Sequence, residues 1–213
     1  MTEKQQEPII QAKQSRSRAT QNKLLSALHR CLQRKVFEQI SIKEIADEAG
    51  VSVGTFYRRF KDKESLLPIL YKAFGEDLSN WLEEIESCRH SDLLSALSEV
   101  SHQTLNFLQR HKSVFRTLHL NARLQPDLLD QNTLLNRKEV YSRLAAVLQR
   151  HKADMHVSNP IEATQLVIFM LVSALLEKVV YPNLTPAVAS ELDAQDTSEQ
   201  LVKMFYLYLQ APS

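Results

Sequence analysis

Residues 41–63 read SIKEIADEAGVSVGTFYRRFKDK, and this stretch decides the fold. Ser41 and Glu44 form a capping box, in which the serine hydroxyl takes the amide three residues on and the glutamate reaches back to the Ser41 amide. Ile45, Ala46 and Ala49 then make a short apolar stripe. Gly50 follows where a left-handed turn is needed after a helix. Ser52 is placed to cap a second short helix running through Phe56, Tyr57 and Phe60. Two short helices joined by Ala49-Gly50-Val51-Ser52 predict a helix-turn-helix, whose second helix is the one that enters a major groove.

Upstream, Leu24, Leu25, Leu28 and Leu32 recur at the spacing of one helix face, in a pattern that starts near Ala19. Ile42, Ile45, Ala46, Val51, Phe56 and Phe60 are the residues expected to pack the short pair against that helix. Val53, Thr55, Tyr57, Arg58, Arg59 and Lys61 are then left outward. Two arginines on the open face of a helix with a small N-terminus suit a groove of phosphates and base edges.

The rest of the composition agrees. Only three of 213 residues are glycine, at 50, 54 and 75. Sandwiches, barrels and nucleotide-binding α/β folds need more glycine for their turns and phosphate loops, so an all-α fold is expected. Charge is uneven. Residues 1–63 hold thirteen Lys and Arg against seven Asp and Glu, a surplus of six positive charges, and residues 64–213 carry a surplus of five negative. A basic head on an acidic body points to a polyanionic partner.

Two distant cysteines, Cys31 and Cys88, with no Cys-x-x-Cys, exclude a disulfide framework and a cysteine-rich zinc site. No metal or cofactor is expected. The first twenty residues lack the apolar segment of a signal peptide. The apolar run Leu166–Leu176 is shorter than the roughly 20 residues a membrane span takes. A cytoplasmic protein with no membrane partner is expected. No nucleophile elbow, phosphate loop or His-Glu-x-x-His is present, which leaves no enzyme signature to set against the helix-turn-helix.

Residues 41–67 resemble the tetracycline-repressor (TetR) family of bacterial transcription regulators. The shared features are the Ile-Ala pair at 45–46, the Ala-Gly-Val-Ser turn at 49–52, Gly-Thr-Phe-Tyr at 54–57, Phe60, and the Lys-x-Lys-Glu-x-Leu run at 61–66. The resemblance covers about the first third of the chain. It implies that Thr55, Tyr57 and Lys63 meet the phosphate backbone and that Ser41 and Ile42 touch phosphate at the start of the first short helix. It implies that Val53, Gly54, Thr55 and Arg58 lie nearest the bases, with Arg59 beside them. Arg16 and Arg18 would reach backbone or minor groove from the tail.

The expected organisation is a flexible basic tail (1–17), a three-helix head that binds double-stranded DNA (18–63), and an all-α regulatory and dimerisation domain (64–213). Helices are expected over 77–87, 92–110, 112–122, 126–152, 160–181 and 197–209. Two of these are apolar on every side, so a homodimer interface is assigned to Leu166, Phe169 and Met170 on one and Leu201, Phe205 and Tyr208 on the other. The family reading adds a ligand-responsive repressor on a palindromic operator, with a small-molecule effector. The polar residues His102, Asn106, Arg116, His119, Arg123 and Tyr141, set on otherwise apolar helices, are the pocket candidates, and an arginine with a histidine suits an anion. A second reading keeps the fold and replaces the effector with a protein partner.

Overall fold

The structure is a computed structural model that describes residues 7–124 and 136–212, with side chains of 7–17, 122, 124 and 137 left aside. The described residues are helical with no strand. They form two compact units, which divide between Ala73 and Phe74.

In the first unit, α1 (Glu7–Arg34) packs on α2 (Ile42–Glu48), and α2 packs on α3 (Val53–Tyr57). The helix α1 begins at Glu7 rather than near Ala19, so residues 7–17 are helical where a tail is expected. Gln, Lys, Arg and Ala favour a helix without supplying an apolar face. The core holds Leu24, Leu28, Leu32, Phe37, Ile40, Ile45, Ala46, Phe56 and Phe60, all buried. Leu66, Leu67, Leu70 and Tyr71 are buried as well and belong to this unit. The division therefore falls inside α4 (Leu67–Ser87), not at residues 63–64.

The second unit comprises the rest of α4, then α5 (Leu93–Arg110), α6 (Lys112–Leu124), α7 (Arg137–Gln149), α8 (Pro160–Val180) and α9 (Ala194–Gln210). The expected helix over 126–152 begins in part outside the described residues. Its described portion is α7, capped by Asn136, whose side chain accepts the Glu139 amide. Helix α8 is central and packs against α5, α6, α7 and α9. By length and composition it is apolar enough to cross a bilayer, being longer than the run that predicts it. Here Val167, Ile168, Leu171 and Leu175 turn into the core.

Polar links fix the register of this unit. Arg143 on α7 donates to both oxygens of Glu86 on α4, at 2.8 and 2.7 Å. Ser101 on α5 meets Ser198 on α9 at 2.6 Å in the interior. Trp81 stacks on Phe107 with centroids 4.7 Å apart, and its indole nitrogen donates to the Gln103 carbonyl. Lys178 gathers the loop after α8 by donating to the carbonyls of Ala187, Ser190 and Leu192.

Candidate nucleic-acid interface

Local chemistry builds the helix-turn-helix as the residues predict. The Ser41 hydroxyl accepts the Glu44 amide at 3.2 Å, and the Glu44 carboxylate accepts the Ser41 amide at 2.9 Å. Lys35, just past the end of α1, donates to the other carboxylate oxygen. Held first by Lys35 and then by the Ser41 amide and hydroxyl, the Glu44 carboxyl is brought down to about 2. Gly50 has φ +66°, the one left-handed backbone among the described residues. The Gly50 and Val51 amides close back on the carbonyls of Asp47 and Ala46. Ser52 then caps α3 by accepting the Thr55 amide at 3.2 Å.

The two faces of α3 separate cleanly. Phe56 is fully buried and Phe60 nearly so, their rings 5.5 Å apart. On the other side Val53, Gly54, Tyr57, Arg58 and Arg59 are exposed, with Tyr57 showing 56% of its surface and its ring edge-on to Phe56. Thr55 is half-buried. Its hydroxyl accepts Arg58 Nη2 at 2.8 Å and lies 3.0 Å from the Ser52 hydroxyl. Ser41 is exposed at the head of α2 and Ile42 is half-buried beside it.

The positive surplus of this unit is spent unevenly. Arg30 and Arg34 on α1 clamp Glu48 on α2, each at 2.6 Å. Lys43 pairs with Asp47 at 2.7 Å one turn along α2. The Glu48 pairs brace α1 on α2, and Arg58, Arg59 and Lys61 are exposed cations beside α3. Arg18 is exposed on α1, and the Arg16 side chain lies outside the described residues.

Lys63 departs from the expectation. Its ammonium donates to the carbonyls of Phe37, Glu38 and Ile40 at 2.9 to 3.0 Å, and lies 4.8 Å from the centre of the Phe37 ring. An ammonium has three protons, and three carbonyls take them. The Phe37 carbonyl also accepts the Ile40 amide that closes the short turn Phe37–Gln39, and Lys63 adds a charged donor to it and to the carbonyls of Glu38 and Ile40. Lys63 is bound inward rather than set out toward phosphate.

In the second unit the pocket candidates do not form one group. His102 and Asn106 bond to each other at 2.9 Å on the exposed side of α5. Tyr141 is half-buried on α7. Arg116, His119 and Arg123 share α6, and their common neighbour is Tyr181, which the sequence did not single out. His119 Nδ1 is 2.9 Å from the Tyr181 hydroxyl. Burial, then Arg123, push the imidazole below its ordinary value, with Glu177 opposing. Burial pushes the Tyr181 phenol up. Arg116 and Arg123 act on that phenol in the opposite sense.

Of the interface candidates, Leu166, Phe169, Met170 and Tyr208 are exposed and Leu201 is half-buried. Phe205 is a correction: only 3% exposed, it is a core residue of the single chain. Met204 and Leu207, the latter 68% exposed, take its place on the open face of α9, because Val202, Phe205 and Leu209 use the inward face. Among the described residues no three His, Cys, Asp or Glu side chains converge as metal ligands.

The first unit thus carries a helix-turn-helix, and the described residues of the second are all-α. Residues 24–68 match the model for bacterial regulatory proteins of the tetR family. The HTH-type transcriptional regulator YvkB of Bacillus subtilis is 32% identical over 90 residues, which are 40% of this chain and 48% of that one. The chain thus spans about half the length of that relative. YvdT, an HTH-type transcriptional regulator of the same organism, is 25% identical over 144 residues, 66% of this chain and 71% of that one. A TetR transcription regulator from Haloarcula marismortui shares the fold with TM-score 0.64 at 16% identity, covering 91% of this chain and 99% of that one. The fatty acid degradation regulator FadR from Bacillus halodurans does so with TM-score 0.59 at 18% identity, over 88% and 94%. The match of residues 24–68 thus makes the head similar to the tetR family of bacterial regulatory proteins, and the chain as a whole shares the fold of the TetR regulator structure.

Proposed function

We propose that this protein is a ligand-responsive repressor that binds a palindromic operator as a homodimer in the cytoplasm. The observation that carries the reading is the division of α3. Phe56 and Phe60 anchor it in the core while Val53, Tyr57, Arg58 and Arg59 stand in solvent. A helix so held presents its outer side chains to a major groove, and two copies spaced by about 34 Å read successive turns of duplex. The second copy joins along α8 and α9, where Leu166, Phe169, Met170, Met204, Leu207 and Tyr208 expose apolar surface.

The effector is a small anion-bearing molecule met by Arg116, His119, Arg123 and Tyr181. It acts by binding one separation of the two heads better than the other, and its effect is limited to that difference in affinity. Selection of bound fragments from the source genome by the full-length protein tests the reading. Enrichment of one inverted repeat, with affinity falling steeply as salt rises, is expected. No enriched sequence at low salt overturns it.

A further inference from the structure

The outer face of α3 carries a row of three linked side chains. Ser52, Thr55 and Arg58 follow one another at intervals of three, one turn apart along the same side. Arg58 Nη2 donates to the Thr55 hydroxyl oxygen at 2.8 Å, and that oxygen lies 3.0 Å from the Ser52 hydroxyl. The Ser52 oxygen also accepts the Thr55 amide. The chemistry of this row is lopsided. Guanidinium has five N–H donors and no acceptor, and one donor is committed to Thr55. Between the two hydroxyls one proton is used internally, and the other is left to point away, whichever oxygen donates. The row therefore offers donors to whatever lies against it. Val53 stands beside it as the exposed apolar group, 37% exposed.

From this row we infer that Arg58 reads a guanine in each operator half-site and that Thr55 is its positioning residue rather than a phosphate contact. Guanine is the base whose major-groove edge is acceptors alone, N7 and O6, whereas adenine and cytosine each place an amino donor there. An arginine fork meets both guanine acceptors at once. Thr55 restrains that fork before DNA arrives, so less side-chain freedom is lost on binding. Val53, next along the face, fits a thymine methyl. The inference rests on the reading that α3 enters the major groove.

The test uses the full-length protein and a pool of duplexes carrying a randomised central segment, read out by sequencing the bound fraction. Individual duplexes with every base tried at the selected positions then give affinities. We expect one invariant guanine per half-site, and roughly ten- to hundred-fold weaker binding when it is replaced. In Arg58→Ala that replacement no longer matters. Thr55→Val removes the hydroxyl and keeps the shape. It cuts the preference for guanine several-fold while leaving the salt dependence of binding unchanged. Thr55→Ser retains the hydroxyl and the preference. Selected sites that lack a guanine sensitive to Arg58 overturn the inference and leave the DNA-binding reading standing. A Thr55→Val protein whose salt slope falls by about one makes Thr55 a phosphate contact and overturns its positioning role. A pool with no enrichment removes the reading and the inference together.

Discussion

Lys63 lies over the Phe37 ring, 4.8 Å from its centre, and donates to the Phe37 carbonyl at 2.9 Å. The same ammonium also serves Glu38 and Ile40, so one side chain closes the turn that leads into α2. A residue that resemblance assigns to DNA is occupied in holding the head together.

Lys63→Met is therefore expected to act through stability. It leaves three carbonyls without their charged donor, at a cost of about 1–3 kcal/mol. Urea unfolding of the full chain measures this. Binding of the folded variant to an enriched site keeps the wild-type salt slope. A slope lowered by about one would instead assign Lys63 to a phosphate.

Gly54 separates folding from recognition. A methyl group there meets only the Ser52 hydroxyl, at 3.8 Å, which is ordinary contact. Among the described residues nothing asks for glycine on the first turn of α3. Gly54→Ala should raise the stability of the head by up to about 1 kcal/mol through helix propensity. The same variant should bind operator DNA more weakly, because the added methyl stands on the exposed face. A thermal melt beside a binding titration checks both. A variant that melts higher and binds unchanged would show that the DNA does not approach this backbone closely.

Phe169 tests the dimer. It is 58% exposed in the single chain, at the centre of the apolar face of α8. Phe169→Glu should weaken self-association on the order of a hundred-fold, the scale of a buried aromatic anchor. Sedimentation equilibrium would then report the monomer mass where the wild type gives the dimer. Equal masses for the two proteins would move the interface elsewhere.

His90 predicts an acid limit to stability. Both its ring nitrogens are buried without a hydrogen-bond partner. Burial first, then His151 and Arg150, push its pKa below the ordinary 6.5, against Glu99 and Asp92. His119 is lowered too, by burial and Arg123. A lowered histidine pKa means that the unfolded chain binds the proton more readily. Stability is then complete above about pH 6.5 and declines as pH falls below it. His90→Leu loses no hydrogen bond and should flatten that decline while leaving stability at pH 7.5 nearly unchanged. Urea midpoints at pH 5.5 and 7.5 measure the difference. An unaltered slope in the variant would place the acid sensitivity with His119.

Residues 41–60 were legible because their structure is decided locally. A serine cap, a glutamate three residues on and a glycine at positive φ are satisfied by neighbours in the chain. The alternation of Phe56 and Phe60 with Tyr57 and Arg58 likewise names an inner and an outer side from spacing alone. Helices α8 and α9 were different. Both are apolar around most of their circumference, and the spacing of Leu201, Val202, Met204, Phe205, Leu207 and Tyr208 permits either face to turn inward. Only packing against α5 and α8 sends Val202 and Phe205 into the core and leaves Met204 and Leu207 outside. The direction of Lys63 and the meeting of His119 with Tyr181 were decided in the same way. Their partners lie 23 to 26 and 62 residues distant in the chain. A contact at such separation depends on how whole helices stack, and no local pattern encodes it.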